Sequence, residues 1–471
     1  MKMKKNKIRV ISAVVSAIML ASSASVFAKF DAYNDPDGFT LGHYEVEVNQ
    51  EQRADTEKLY EQRPKNERQF ENLSRGLIAV PGENGTLVSW RFLGTDSNSL
   101  TYNLYCSGEK LNDKPITTTN FFHTGASTNA EYTLKEVENG EETGVEYTTT
   151  AWDKNYIGFK VTEREGYNID DGAVADLDGD GEYEILLRRV PSMDVNTRTS
   201  YPVIEAYKTD GTHMWTIDIG PNEINEVDIN FLAYDMDGDG KAEVIMRSFE
   251  GTTDGKGNTT GDTNGDGITD YSKSESNLAI FKDRQYIVST PEFLSIYDGE
   301  TGEETDRTDL KPSKEPLSDW SYRYSDTGRL TKRASHYLFG LAYLDGVTPS
   351  VVMVRGAWDN VRAAAWHIED GKFKEEWVHN TENKDDVNSI WGACNHNLVT
   401  VDVDFDGKDE ILSGPMAIDH DGSEMYAVKV YDNDGNAQKL AHGDAFDVAK
   451  TDPDFNGYMT WACHETSQLM A

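Results

Sequence analysis

Four acidic loops constrain this chain more than any other feature of it. Asp176-Leu-Asp178-Gly-Asp180-Gly181-Glu-Tyr-Glu184 recurs as Asp235-Met-Asp237-Gly-Asp239-Gly240-Lys-Ala-Glu243 and as Asp402-Val-Asp404-Phe-Asp406-Gly407-Lys-Asp-Glu410. A further version, Asp262-Thr-Asn264-Gly-Asp266-Gly267-Ile-Thr-Asp270, lies between the second and the last. Each carries oxygen ligands at positions 1, 3, 5 and 9 and glycine at position 6. A hard cation such as Ca2+ takes six to eight oxygens, and alternate residues of a tight loop can point inward at it. Glycine at position 6 permits the turn that wraps the backbone round the ion. Left without a cation, the clustered carboxylates would repel one another. Several calcium sites are therefore expected.

The loops are not EF-hands. Position 12 of an EF-hand is a bidentate Glu, and here it is Leu187, Met246, Lys273 and Ser413. The flanks also read as strands: Ala173-Val-Ala175 and Glu184-Ile-Leu-Leu187 around the first loop, Phe231-Leu-Ala-Tyr234 and Val244-Ile-Met246 around the second, Leu398-Val-Thr-Val401 before the last. The repeated unit is strand, calcium loop, strand.

The chain opens as a secretory leader. Lys2, Lys4, Lys5, Lys7 and Arg9 precede an apolar run from Val10 to Ala21, which ends in Val26-Phe-Ala28. The run is too short to span a bilayer, so residues 1–28 are expected to be removed and the protein exported and soluble. A formal net charge of −38 opposes encounter with nucleic acid or anionic membrane. An anionic substrate is admissible only where metal or a basic cleft receives it. Three cysteines are too few for a disulfide scaffold, and no structural disulfide is expected.

Residues 29–70 are polar, lack apolar periodicity and read as an extended or partly disordered lead-in. From 71 to 152 short alternating strands take over (Gly76–Val80, Leu87–Trp90, Tyr102–Tyr105, Tyr147–Thr150), separated by turn signals, with the size and rhythm of a fibronectin-like β-sandwich. Residues 153–471 hold the calcium loops. The first two are 59 residues apart, a fair blade length, and the last lies 167 beyond the second, close to three such intervals. Blades without the motif are thus expected between them, and strands at Phe293–Tyr297, Tyr337–Tyr343 and Val351–Val354 suit that. A decayed copy follows near Val448-Ala-Lys450-Thr-Asp452-Pro, with Lys450 where the first Asp would stand. The fold class expected is all-β, a small sandwich followed by a calcium-stabilised β-propeller.

An ordered set of short motifs makes the reading more specific. Ser74-Arg-Gly-Leu-Ile-Ala-Val80, Val88-Ser-Trp-Arg-Phe-Leu-Gly-Thr-Asp96, Asp171-Gly-Ala-Val-Ala-Asp-Leu-Asp-Gly-Asp-Gly181, Leu341-Ala-Tyr-Leu-Asp-Gly346, Asn395-His-Asn-Leu398 and His442-Gly-Asp-Ala445 stand in the same order as in family 11 polysaccharide lyases, the rhamnogalacturonan lyases. The chain resembles that family from about residue 72 to its end. The resemblance implies an eight-bladed propeller, incomplete here because the chain stops at Ala471 where relatives continue. It also implies cleavage of the rhamnose–galacturonate backbone of rhamnogalacturonan I in plant cell walls by β-elimination, by a monomer. A cation neutralising the uronate carboxylate would acidify C5, a base would take that proton, and the C4–O bond would break.

The resemblance also implies site residues. Asp171, next to Asp170 where the family has Asn, would face the cleft. His396, His442 and Asp444 would line it or bind a cation, and Arg355 would pair with a uronate carboxylate. Candidates for the catalytic residue are His396, His442 and Arg355. The alternative for each His is a hydrogen-bonded loop or core residue, and for Arg355 a structural salt bridge. Two positions depart: Asp228 where relatives tend to have His, and Trp358-Asp-Asn-Val361 where they have an Arg-containing run. The competing function is a non-catalytic calcium propeller that binds carbohydrate or protein. A cellulosomal dockerin would need two such loops leading into helices, and Asp262–Asp270 is a single mid-chain copy.

Overall fold

The structure is a computed structural model describing residues 9–11, 28–34, 40–46, 50–125, 129–192, 201–223, 230–282, 284–320, 325–381, 383–431, 437–440 and 442–464. Most of the expected leader, Asp228 and the extreme C-terminus lie outside them. The described residues are dominated by antiparallel strands. No described helix is long and apolar enough to cross a membrane.

The first body is a pair of facing sheets. One contains Ile78–Gly82, Gly85–Ser89 and Asn120–Thr124; the other contains Glu141–Thr150, Glu131–Glu138, Thr101–Cys106 and Glu109–Lys110. Between them lie Ala79, Val88, Trp90, Tyr102, Leu104, Tyr132 and Leu134, all buried. Alternation of apolar and polar side chains along each strand puts one face inside and leaves the other wet.

Four four-stranded meanders follow. The first runs through Tyr167–Ala175, Glu184–Pro191, Val203–Tyr207 and His213–Asp218. The second uses Phe231–Tyr234, Glu243–Phe249, Glu292–Tyr297 and Glu304–Asp309. The third uses Tyr337–Ala342, Ser350–Arg355, Arg362–Glu369 and Lys372–Asn380. The fourth uses Val399–Val401, Glu410–Ser413, Met416–Ile418 and Glu424–Ala427. A two-stranded sheet, Gly443–Ala449 with Met459–His464, comes next.

Each sheet packs its face on its neighbour in sequence. One buried cluster joins the first and second meanders (Leu186, Ile204, Trp215 with Val244, Met246), another the second and third (Ile245, Leu294 with Val351, Trp366), another the third and fourth (Val352, Ala365 with Ile411, Ile418). The first strands of successive meanders lie against one another. Burial on both faces explains why the second strands read as unbroken apolar runs such as Val351-Val-Met-Val354.

Two expectations change. Between Asp235 and Asp402 the described residues hold one complete meander rather than the two motif-free blades that the interval suggested. The excess length is an insertion, residues 250–291, between the second and third strands of the second meander, and it carries the loop Asp262–Asp270. The lead-in is not featureless either. Gln50–Gln62 is an α-helix that stops before Pro64, and the chain beyond it is a strap.

The strap crosses the acidic ends of the sheets in reverse order. Arg53 pairs with Asp452 at 2.9 Å and Asn456 Nδ2 donates to Glu57 at 2.8 Å, on the turn of the two-stranded sheet. Asn66 Nδ2 donates to Gly407 O at 2.9 Å and Arg68 reaches Asp409 at 2.7 Å, on the fourth meander. Gln69 N donates to Val347 O at 2.8 Å, on the third. Gln69 Nε2 donates to Asp235 O at 3.4 Å, on the second, and Ser74 N to Gly181 O at 2.9 Å, on the first. Gly181 and Gly407 have φ of +86° and +96°, and a Cβ at either would run into the strap. Positions 181 and 407 therefore need glycine for the turn and for the close approach alike, whereas Gly240, with φ of +93° and open space around it, is needed for the turn alone.

Candidate functional site: acidic loops at one end, imidazoles at the other

In an antiparallel meander the connections between strands one and two and between three and four share one end, and the others share the opposite end. The loops at 176, 235 and 402 all join strands one and two of their sheets, so they share an end with the strap. They repeat one hydrogen-bond scheme. The position-1 Asp accepts from the glycine N–H at position 6: Gly181 to Asp176 at 2.7 Å, Gly240 to Asp235 at 3.0 Å, Gly407 to Asp402 at 3.1 Å. The position-9 Glu accepts from the N–H at position 2: Leu177 to Glu184 at 2.9 Å, Met236 to Glu243 at 2.9 Å, Val403 to Glu410 at 2.8 Å.

The remaining carboxylate oxygens converge. Asp176, Asp178 and Asp180 bring oxygens within 4.8 Å of one another, as do Asp235, Asp237 and Asp239, and Asp402, Asp404 and Glu410. Burial, with the neighbouring carboxylates adding to it, pushes Glu184 up to about 6, Glu243 to about 8, Asp402 to about 6 and Glu410 to about 10. Asp178 Oδ1, Asp402 Oδ1 and Glu410 Oε1 are buried and accept no hydrogen bond. Oxygen-rich, charge-crowded and incompletely hydrogen-bonded, these loops fit a divalent cation, and the all-oxygen sets at 176 and 235 fit calcium. The loop at 262 is different. Asp262 accepts from Gly265 and Gly267, but Asp270 turns away to Ser272 and to Lys273 at 3.0 Å, and its other members are exposed. Asp262, Asp266 and Asp270 are not gathered within that range, and Glu184 and Glu243 likewise stand outside the aspartate sets of their own loops.

The opposite end carries the other expected residues. His396 lies on the connection into the fourth meander and His442 immediately before Gly443–Ala449. Their rings stand 4.8 Å apart, and with Asp444 they form a donor group within 4.8 Å. The flanking asparagines hold His396 in place. Asn395 donates to Ala445 O at 3.2 Å and accepts from Gly443 N at 2.8 Å, while Asn397 donates to Phe446 O at 2.5 Å. The pattern Asn-His-Asn is thus two clamps and one presented ring. His442 is buried, and its Nδ1 lies 2.6 Å from Cys394 O, an acceptor only. The proton therefore sits on Nδ1 and the lone pair on Nε2, the tautomer of a metal ligand. Two imidazole nitrogens and one carboxylate suit a borderline divalent cation better than calcium, which prefers oxygen.

Sequence reading named Trp358 only as a departure from the family and missed the rest of the surroundings. Trp358, on the turn between strands two and three of the third meander, lies 5.3 Å from His396 and 4.8 Å from His442, and His336 lies 5.0 Å from His396. Lys332 Nζ stands 3.9 Å over the Trp358 ring, and Arg333 pairs with Asp359. The helix Thr327–Ser335 delivers both cations and His336. Its residues are far from His396 in sequence, and no spacing rule connects them.

Asp170 and Asp171 lie midway along the first strand of the first meander. Asp170 pairs with Arg188, whose Nε donates to it at 2.9 Å, and Asp171 stands 3.7 Å from the same guanidinium. Arg355 is fully buried. Its terminal nitrogens donate to Glu292 at 3.1 Å and to Ala334 O at 3.0 Å, within an internal cluster that includes Arg247 and Lys314. The geometry is that of a structural salt bridge; a uronate would have to displace Glu292. Cys106, Cys394 and Cys463 are free thiols.

Two family models match in chain order. The Rhamnogalacturonan I lyases beta-sheet domain covers residues 68–152, and the Rhamnogalacturonan lyase family 11, C-terminal domain covers residues 158–471. The rhamnogalacturonan endolyase YesW of Bacillus subtilis is 37% identical over 413 residues, covering 84% of this chain and 62% of that protein. The crystal structure of the exotype rhamnogalacturonan lyase YesX matches with a TM-score of 0.71 at 36% identity, covering 85% of this chain and 64% of that one. A Bacillus licheniformis rhamnogalacturonan lyase matches with a TM-score of 0.70 at 36% identity, covering 85% and 66%. This chain spans just under two thirds of the length of these relatives. By both domain models and by the course of its backbone, the chain belongs to rhamnogalacturonan lyase family 11.

Proposed function

We propose that this chain is an exported lyase that cleaves the rhamnose–galacturonate backbone of rhamnogalacturonan I by β-elimination, built on a β-propeller whose acidic loops at 176 and 235 hold calcium. The observation that carries the reading is the match of both family models, in order, over a chain whose imidazole cluster gathers at one end of the sheets. Sequential face packing of four-stranded meanders, with their first strands in mutual contact, supports the propeller. The aspartate sets at 176 and 235, with the orphaned Asp178 Oδ1, support calcium there. The polar-headed leader supports export.

A divalent cation held by His396, His442 and Asp444 would supply charge neutralisation at a uronate carboxylate. The protein's own residues do the rest. Lys332 and Arg333 set positive charge beside Trp358 on an otherwise acidic chain, which favours approach of an anionic polymer. Of the three candidates His396 alone is within reach of a sugar ring, since His442 and Arg355 are buried; as a ligand of the cation it would position the uronate carboxylate rather than take the C5 proton. A lone pair engaged as a cation ligand is withdrawn from that role.

The test is the ultraviolet absorbance of the unsaturated uronate. The chain from Lys29 is incubated with rhamnogalacturonan I, first with calcium and then with chelator. Absorbance that grows with cation and stops with chelator is expected. Silence from a folded, cation-loaded chain overturns the reading in favour of a non-catalytic carbohydrate-binding propeller. The engagement of Arg355 by Glu292 is the observation that favours this second reading.

A further inference from the structure

We propose that the acidic loop at 402–410 is not a calcium site like its two counterparts, but a mixed nitrogen–oxygen site for a borderline divalent cation such as Zn2+ or Mn2+, with His420 as its nitrogen ligand. The inference deepens the loop assignment and rests on it.

Each acidic loop is faced by the turn between strands three and four of its own sheet. At the first loop that turn places the Lys208 ammonium on Asp178. At the second, Gly299 occupies the facing position, and a Cβ there would lie 2.0 Å from Ala242 O, so no side chain can enter. At the loop at 402, the matching position is His420. The match is fixed by a shared contact: Trp215 Nε1 donates to Gly299 O at 2.7 Å and Trp377 Nε1 to His420 O at 3.0 Å. A glycine and an imidazole therefore stand at one structural position, while Lys208 reaches the first loop from one residue earlier in its turn, where the other turns have Asp298 and Asp419; of the three groups the imidazole alone is a metal ligand.

The site is built around unmet demand. Asp406, Glu410 and His420 bring ligand atoms within 4.8 Å of one another. Glu410 has no exposed surface; one of its oxygens holds Val403 N, and the other, Oε1, accepts nothing. His420 Nδ1 is likewise buried without a hydrogen bond, although it lies 2.7 Å from Asp419 Oδ1 and 3.6 Å from Asp406 Oδ2. An imidazole nitrogen facing three carboxylates is poor for calcium and good for a borderline cation. The remaining polar neighbour is Lys408, whose Nζ lies 3.0 Å from His420 Nε2. Cation binding at Nδ1 places the ring proton on Nε2, so Lys408 gives up that contact and turns to solvent.

The experiment uses the full chain with His396 and His442 both replaced by alanine, which removes the other imidazole centre. The chain is stripped with chelator, reloaded with excess calcium, and titrated with Zn2+ by calorimetry and with Co2+ by visible absorption. Tight binding of one Zn2+ that calcium does not displace, and a Co2+ spectrum bearing a nitrogen ligand, are expected. His420→Ala should weaken Zn2+ binding by about ten- to a hundredfold while calcium loading of the other loops persists. His420→Asp should restore an all-oxygen site that takes calcium in place of Zn2+. Unchanged Zn2+ affinity in both variants, or displacement of Zn2+ by calcium in the His420 chain, overturns the proposal. Calcium loading reports folding of each variant independently of lyase activity, so failure here is distinct from failure of the lyase reading.

Discussion

Single residues at the imidazole end divide into those that present a group and those that consume one. His442 presents: its Nδ1–H donates to Cys394 O, which places the lone pair on Nε2. Arg355 consumes, because it answers the buried charge of Glu292, whose carboxyl the surrounding Arg355, Lys314 and Arg247 hold down at about 2 despite its burial. Removing one partner of a buried pair leaves the other uncompensated. Arg355→Ala is therefore expected to cost about 3–5 kcal/mol of stability, read as a lowered denaturant midpoint with calcium stoichiometry unchanged. A variant that loses substrate binding at full stability would instead make Arg355 a substrate residue.

At the scale of elements, the acidic loop is a turn between two strands that crowds carboxylates together. Glu184, Asp402, Glu243 and Glu410 all titrate above their ordinary values in the cation-free fold, because they are buried among one another. The folded chain then binds protons that the unfolded chain releases, and stability falls as pH rises. The contribution is full below about pH 4.5. It declines through pH 6 as Glu184 and Asp402 ionise, then through pH 8 with Glu243 and onward to pH 10 with Glu410. In chelator, the melting temperature should drop between about pH 5 and pH 8, and the gain on adding calcium should widen over the same range. Parallel melting curves with and without cation would show that the loops carry no ion.

Across the whole molecule, the strap turns a row of sheets into a connected body. Each meander already buries its faces on its neighbours, and residues 53–74 add a second tie that touches every acidic end in turn. Arg68 is its strongest single anchor, forked onto the largely buried Asp409, which in turn accepts from Tyr343 N at 3.0 Å. Arg68→Ala should cost about 1–2 kcal/mol after discounting for the exposed arginine. It should also speed proteolysis within the strap, resolved by mass spectrometry. If cleavage sites and rates match the parent chain, the strap contributes no cohesion.

The local part of this protein was written in its sequence. The acidic loops, their flanking strands and most strands of the sandwich follow from alternation, turn residues and ligand spacing, all short-range properties. The motif order was enough to point to the family. What lay beyond reach was every feature that joins distant segments. The strap is mostly polar and held by ion pairs, backbone contacts and the isolated rings of Tyr60 on Phe405 and Phe70 on Tyr343, so it has no periodicity to betray it. The insertion at 250–291 disguised one meander as several. Whether Arg355 meets a substrate or Glu292, whether Asp270 faces its loop or Lys273, and whether a loop is faced by Lys208, Gly299 or His420 depend on which chain returns beside it. That choice is made by packing of buried faces, and packing is decided only when the whole chain has folded.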